Sequence, residues 1–390
     1  MKFLRNTLDK IKPHVQKGGK FQKFRSTFDA FETFLYVPDH VTKSGSHIRD
    51  GIDLKRAMSV VVIALMPALL FGMWNVGYQH FLAIGQTAGF CELFWYGFLQ
   101  VLPIIIVSYV VGLGVEFIFA QIRGHEVNEG FLVSGMLIPM IMPVDTPLWM
   151  VAVATIFAVI IGKEVFGGTG MNIFNPALLA RAFIFFAYPS KISGDFVWVS
   201  GLSDSTTKVV DGFSGATPMG LAGQGQFDKI PDFWTMFIGN IPGSIGETSK
   251  IAILIGAAIL IISGIGSFRI MLSTILGGSA MIYIFNLFAA NPYMEISPLV
   301  QLSMGGFLFG AVFMATDPVS ASQTSTGKII YGFLIGMIAM LIRVLNPAYP
   351  EGMMLAILMM NMFAPLIDYY VVEANIKRRL KRAKLSSIKS

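Results

Sequence analysis

A short segment of small and polar residues holds the arrangement in this sequence that could most readily do chemistry. Residues 211–218 read Asp-Gly-Phe-Ser-Gly-Ala-Thr-Pro. Thr217 followed by Pro218 is typical of a helix start, where the threonine hydroxyl accepts a backbone N–H and proline occupies the first helical position. The small residues before Thr217 also leave its hydroxyl sterically accessible for a second role. The two roles are compatible, and the pattern leaves both open.

Two carboxylates fall inside apolar stretches. Asp368 follows an Ala-Pro pair in the last stretch, and Glu116 lies near the end of the second. A charged side chain at the centre of a membrane costs about 2.5–3.5 kcal/mol, so each carboxylate is a functional candidate by default. Oxygen ligands suit hard cations, which makes sodium binding one role. Snorkelling or ion pairing near the cytoplasmic surface is the alternative for both.

Amide and guanidinium groups occur in comparable positions. Asn175 and Asn346 each precede a proline, and each could present its amide to a ligand or cap a broken helix. Arg181 and Arg343 also lie near apolar stretches, where we expect them to pair with carboxylates or carbonyl groups rather than with substrate.

The elements that carry these residues must be membrane helices. Of the 390 residues, 54% are hydrophobic and only 13% are charged, whereas soluble domains carry about 25% charged residues. A single cysteine excludes disulfides within the chain and an iron–sulfur cluster held by this chain alone, which needs about four ligands. The five histidines form no metal-binding pattern, so any electron transfer requires an organic cofactor. No motif for nucleic acid accompanies the basic charge.

Ten apolar stretches predict about ten transmembrane helices, and the polar segment 190–249 divides them five and five. With a cytoplasmic N-terminus, 23 of the 29 Lys and Arg residues fall inside and five fall outside, as the positive-inside rule requires. No cleavable signal peptide is evident. Both termini are therefore expected in the cytoplasm, and the segment 190–249 in the periplasm. The apolar stretches are 57–75, 98–120, 131–143, 148–163, 174–188, 250–266, 270–290, 298–315, 329–345 and 352–372.

The two groups of five helices resemble each other. Gly-Phe-Leu occurs at 130–132 and again at 306–308, and each copy is followed by a proline and then by an Asn-Pro pair. Because each half has an odd number of spans, a duplicated half must be inverted, and such repeats place binding sites near the midplane. We predict an all-α protein of two inverted five-helix repeats. Its parts are an N-terminal extension (1–50), repeat 1 (51–190), a periplasmic loop (191–249), repeat 2 (250–375) and a basic tail (376–390).

The loop segment matches a flavinylation motif, in which a threonine oxygen is joined to the phosphate of FMN. Longer runs extend the match, and on them the chain resembles the B subunits of sodium-translocating NADH:quinone oxidoreductases. The resemblance implies that Thr217 carries covalent FMN within a motif that includes Asp211, Ser214 and Gly215. An external flavin transferase would attach the FMN. The matching runs are 41–43, 46–50, 53–56, 125–131, 163–170, 237–247, 314–321 and 343–353.

The resemblance also implies a noncovalent riboflavin, ubiquinone reduction and sodium export by a complex with subunits A, C, D, E and F, embedded in membrane lipid. Asn175 and Asn346 are candidate riboflavin contacts, and Asp368 and Glu116 are candidate sodium ligands. The family's quinone pocket is associated with the region of Gly112. Some relatives carry a second glycine where Leu113 stands here, and helix packing is the other role for Gly112.

Other functions share parts of this pattern. The related D subunits of Rnf electron-transport complexes have the threonine motif and a ten-helix fold, but the N-terminal extension favours the B type. A solute channel or a structural anchor could use the same fold, yet neither needs a flavin attachment site. No glycine-rich dinucleotide motif is present, so we expect NADH to bind a partner subunit. Electrons would then cross this chain inward, and the extension would dock a soluble subunit.

Overall fold

The computed structural model describes residues 2–15, 54–124, 130–202, 213–346 and 352–389, together with isolated positions between 19 and 48. These residues are mainly helical and include no strand. Six of the helices are long and apolar enough to cross a membrane. The prediction of an all-α membrane protein is therefore confirmed.

The principal helices follow the predicted apolar stretches. The first lies in the N-terminal extension, and four of the others have only 10–15 residues. The helices are α1 Lys2–Val15, α2 Leu54–Ala83, α3 Phe90–Arg123, α4 Phe131–Met140, α5 Leu148–Gly162, α6 Pro176–Ala187, α7 Pro218–Gly223, α8 Phe233–Ile238, α9 Lys250–Ile262, α10 Phe268–Leu287, α11 Pro298–Ser303, α12 Ser325–Leu345 and α13 Gly352–Lys389.

The eighth predicted stretch, 298–315, is broken rather than continuous. Helix α11 ends at Ser303, a single turn Phe307–Phe309 follows, and a π-helical turn covers Gly310–Met314. Gly305 between them has a φ of +56°, a left-handed conformation that glycine adopts without steric cost. Helix α4, with 10 residues, spans only about 15 Å at 1.5 Å per residue. The count of ten spans and the inverted repeat therefore remain predictions.

The two halves meet along α2 and α9. Gly256 of α9 lies against the Ala64 carbonyl of α2, so that a Cβ atom at Gly256 would overlap it. The segment before α9 also packs on α2, where the Asn75 amide donates to the Ile241 carbonyl oxygen at 2.9 Å. One apolar core runs through both halves. Residues 239–249 are thereby held between the halves.

Helix α3 separates two polar clusters. Near its start, Tyr96 lies 3.3 Å from the Ser200 hydroxyl, and at its end Arg123 pairs with Glu164 at 3.2 Å. Twenty helical residues between Tyr96 and Glu116 correspond to about 30 Å, which is the thickness of a hydrocarbon core. The loop 195–201 and the Glu164 region therefore lie at opposite ends of the bundle, as the predicted topology requires.

Candidate functional site

Thr217 occupies the N-cap of α7. Its Oγ1 accepts the Gly220 backbone N–H at 3.1 Å, and Pro218 takes the first helical position. The capping role predicted from the sequence is confirmed. Ser214 is exposed, and its hydroxyl accepts the Ala216 N–H at 3.3 Å. Asp211, the first residue of the motif, lies outside the described residues.

Gly215 fastens the motif to the loop that follows α6. It is buried, and a Cβ atom at this position would overlap the carbonyl oxygen of Asp195. The Asp195 carboxylate in turn accepts from the Gln224 side-chain amide at 3.3 Å, just after α7. The motif therefore needs a small residue at 215 in order to pack, in addition to any need of a modifying enzyme for access.

We expect Gly215→Ala to reduce modification at Thr217 severalfold, because the added methyl group displaces the motif from Asp195. The measurement is flavin fluorescence of the denatured chain relative to the amount of protein. Gly89→Ala is the matched control, since nothing lies within 4 Å of a Cβ at Gly89. Equal fluorescence in both variants would show that the close approach to Asp195 is irrelevant to modification.

A small cleft with room for about 20 Å³, here called the outer cavity, opens beside Thr217. Trp198 contributes an aromatic ring to its wall, and Glu247 and Lys250 contribute charged residues. Trp198 and Lys250 are buried. An aromatic face, an amino group and a hydroxyl at one cavity suit a planar aromatic group that carries a phosphate.

A second small cleft, with room for about 20 Å³ and here called the inner cavity, lies between the halves. Arg181 comes from the first half and Arg343 from the second, and both are buried. Met219 and Glu247 line this cavity as well as the outer one. The two cavities therefore adjoin, with these two residues between them.

The bonds of the two arginines differ from each other. Arg343 donates to the carbonyl oxygens of Gln301 at 2.6 Å and Met304 at 3.4 Å, as the sequence predicted for buried guanidinium groups. Arg181 instead donates to the Ser244 hydroxyl at 3.0 Å. Each guanidinium also lies about 6 Å from an aromatic ring, which favours retention of its charge.

The two asparagines have different surroundings. Asn175 is buried and caps α6, because its side-chain oxygen accepts the backbone N–H of Ala177 at 3.0 Å. The neighbouring Leu178 lines the inner cavity. Asn346 is exposed at the end of α12, and residues 347–351 after it lie outside the described residues. Contacts of either asparagine with riboflavin stay predictions.

Of the two carboxylates, Glu116 is matched by a cation. It is buried and forms an ion pair with the buried ammonium of Lys163. Arg123 and Glu164 pair beside it. The pairing alternative is therefore the arrangement that the structure contains for Glu116.

Asp368 is surrounded by hydrogen-bond donors from the start of α12. Its carboxylate accepts the Ser322 and Thr324 hydroxyl groups at 2.6 Å each, and the backbone N–H groups of Gln323 at 2.7 Å and Thr324 at 3.0 Å. Within the part of the chain that the structure describes, Asp368 forms no ion pair. This holds for the described basic residues of the tail as well. Two hydroxyl oxygens beside a carboxylate are also suitable ligands for a hard cation.

Gly112 packs against an aromatic ring. A Cβ atom there would overlap the Phe131 side chain at the start of α4, so the packing role is present. We expect Gly112→Ala to lower stability by about 1–3 kcal/mol through overpacking, and Phe131→Leu to recover part of that loss. Thermal unfolding of the purified protein measures both. An unchanged melting temperature in Gly112→Ala would contradict this role and leave the predicted quinone contact.

Sequence reasoning did not identify Glu247 and Lys250 as site residues. Both lie in or just after the long run 237–247 that carries the family resemblance. In the charge pattern Lys250 is simply a cation of the outer loop, although it is fully buried. A lysine between a polar loop and an apolar helix gives no local sign of burial. Only its closeness to the run 237–247 could have indicated Lys250.

The fold and the two adjoining cavities define a helical membrane protein with an enclosed site between its halves. The chain belongs to the NQR2, RnfD, RnfE family, whose model matches residues 41–377.

Relatives of similar length are B subunits of Na(+)-translocating NADH-quinone reductases. The relative from Chromohalobacter salexigens is 48% identical to this chain, over 97% of this chain and 96% of that protein. The relatives from Pseudomonas aeruginosa and Stutzerimonas stutzeri are 48% and 49% identical, each over 97% of this chain and 99% of the relative. The similarity therefore extends over nearly the whole chain.

Proposed function

We propose that this chain is the B-type membrane subunit of a sodium-translocating NADH:quinone oxidoreductase in a bacterial inner membrane. In this role it passes electrons from partner subunits, by way of covalent FMN and riboflavin, to ubiquinone, and the transfer is coupled to sodium export. The observation that carries the proposal is the position of the Thr217 hydroxyl at the outer cavity, combined with full-length similarity to subunits of that type. NADH would bind elsewhere in the complex.

The residues around Thr217 fit an FMN group joined through a phosphoester. The hydroxyl lies on a segment with exposed Ser214 before it and a cavity beside it, so an external flavin transferase has access from the loop side. After esterification, phosphate oxygens can accept the Gly220 N–H that the hydroxyl now accepts. Trp198 supplies an aromatic surface for a planar ring. A bound flavin supplies reversible electron transfer.

The residues around the inner cavity would contact the noncovalent riboflavin, which needs more room than the cavity has in this structure. Its two buried arginines can donate hydrogen bonds to ring carbonyl oxygens, and Leu178, Met219 and Met354 offer apolar surface. Such a cavity, mostly apolar with a few convergent polar groups, is the usual form of a cofactor site. Because Met219 and Glu247 border both cavities, the two cofactors would be neighbours.

Asp368 is the sodium ligand that we propose on this chain. It combines a carboxylate, two hydroxyl oxygens and a position near the predicted cytoplasmic end of the apolar stretch 352–372, in the middle of α13. Glu116 is a weaker candidate because Lys163 already neutralises it. Ubiquinone would be reduced toward the same side, near Gly112, where the N-terminal extension would dock a soluble subunit.

The D subunits of Rnf complexes are the main alternative, since the family model covers both types. The similarity of 48–49% to B-type subunits over 97% of this chain favours the B type. A channel or an anchor would need no covalent flavin.

Flavin fluorescence of the chain after denaturing electrophoresis tests the proposed function. The chain should be prepared from cells that also produce its partner subunits and a flavin transferase. We expect a fluorescent band at the position of this chain, because a phosphoester survives denaturation. A chain that is made in full under these conditions, yet is not fluorescent, would contradict the proposal and favour the channel or anchor.

A further inference from the structure

Lys250 and Glu247 bring opposite charges to one cavity. The Lys250 ammonium is fully buried and donates to the carbonyl oxygens of Glu247 at 2.8 Å, Thr248 at 3.0 Å and Gly305 at 3.3 Å. The Glu247 carboxylate faces the backbone of Gly306. Both residues line the outer cavity beside Thr217. The two charges therefore belong to the wall of the proposed flavin site.

These charges are held in place by the fold. Residues 239–249 are fixed between the halves, with the Gly246 N–H bonded to the Met140 carbonyl oxygen at 2.7 Å and Gly72 packed against Ile245. Burial disfavours the charged form of Lys250, whereas its three carbonyl acceptors and the Glu247 carboxylate favour it. In a buried site such a charge is screened only weakly. Its field therefore reaches the cavity.

We infer that Lys250 and Glu247 are opposed electrostatic residues that set the reduction potential of the group carried by Thr217. This inference rests on the proposed function, since it requires a flavin there. Reduction to the anionic hydroquinone adds two electrons and one proton to the ring, so the ring gains one net negative charge. Nearby positive charge favours the added electrons and negative charge opposes them. Lys250 therefore raises the potential and Glu247 lowers it.

The test is a potentiometric titration of the intact complex with dithionite and redox mediators, in which visible absorbance is recorded against the electrode potential. A complex carrying Thr217→Ala provides the reference that lacks this flavin, so the difference isolates its signal from flavins on partner subunits. We expect Lys250→Met to make reduction about tenfold less favourable. This is the order that Coulomb's law gives for a unit charge at about 10 Å and an effective dielectric of about 20. It corresponds to about 30 mV for a two-electron couple.

Glu247→Gln, which keeps the size of the side chain, is expected to make reduction about tenfold more favourable. Opposite shifts of the reduction potential in the two variants indicate an electrostatic role. A loss of packing would not raise the potential in one variant and lower it in the other. Lys250→Arg keeps the positive charge. In this variant the equilibrium constant for flavin reduction should stay within about threefold of the wild-type value. If the complex with Lys250→Met does not assemble, the titration of Glu247→Gln tests the inference by itself.

The inference would be overturned if Lys250→Met and Glu247→Gln shifted the reduction potential in the same direction, or if Glu247→Gln did not shift it. Lys250 would then only tie the turn before α9 to Gly305, and its loss would lower the melting temperature alone. Flavin fluorescence of the denatured wild-type chain distinguishes failure of this inference from failure of the proposed function. Fluorescence with unshifted potentials rejects the inference, whereas absent fluorescence rejects the proposed function.

Discussion

Replacing Thr217 with alanine is expected to abolish covalent flavin fluorescence of this chain while the protein still inserts into the membrane. The substitution removes the only side-chain oxygen of residue 217, which is the one that can form the phosphoester. It also removes a helix cap, which costs about 1 kcal/mol, and the rest of α7 remains packed through Met219 and Leu221. In-gel fluorescence, normalised to the amount of chain in the membrane, is the measurement.

The chain offers a matched control for the loss of the cap. Thr324 is the N-cap of α12 and accepts the N–H of Gly327 at 3.1 Å, the same geometry as Thr217 and Gly220. We expect Thr324→Ala to keep the fluorescence. Thr217→Ser retains a hydroxyl and should keep part of it. Full fluorescence in Thr217→Ala would exclude this residue as the attachment site.

Asp368→Asn is expected to raise the sodium concentration for half-maximal turnover by about tenfold. The change removes one unit charge from the oxygen cluster of Asp368, Ser322 and Thr324, and a charge within about 5 Å of a partly exposed ion contributes about 1–3 kcal/mol. Asparagine keeps one oxygen that can accept from the start of α12, so both flavins should stay bound. Sodium titration of quinone reduction by the purified complex measures the effect.

Glu116→Gln is the comparison for Asp368→Asn. Because Glu116 is paired with Lys163, its loss leaves a buried cation without a partner, and breaking such a pair destabilises a protein by about 3–5 kcal/mol. We expect less assembled complex, but an unchanged sodium requirement in the complex that does assemble. If Asp368→Asn had a normal sodium titration and a normal maximal rate, Asp368 would not be a sodium ligand. Its role would then be only to hold the start of α12.

The sequence predicts the helix starts at Thr217 and Asn175 well, because their signals are local, whereas α3 begins at Phe90, eight residues before its predicted stretch. Thr217 and Asn175 each stand before a proline and an apolar run, and both prove to be N-caps. The break in the eighth stretch is not predicted, because the apolar composition of that stretch reads as continuous. The pair Gly305 and Gly306 is the local sign of that break, since a left-handed φ at Gly305 ends α11 without strain.

The contacts of the site are less predictable than its residues. Asp368 receives its donors from residues 44 to 46 positions away, and Gly215 packs on Asp195 from a different loop. Long-range approaches of this kind follow from how the halves dock, which no local pattern encodes. For the same reason, the sequence indicates Thr217 as the attachment site but gives no sign of Lys250, whose burial arises from the docking of α9.

Mass spectrometry of the peptide that contains Thr217 tests the central claim most directly. The chain is purified with its partner subunits, denatured and digested, and the peptide is fragmented to locate any added mass. We predict a peptide heavier by FMN less one molecule of water, with the added mass on Thr217 and absent from the Thr217→Ala protein. An unmodified peptide from an active, flavin-containing complex, or a flavin on another residue, would contradict the account.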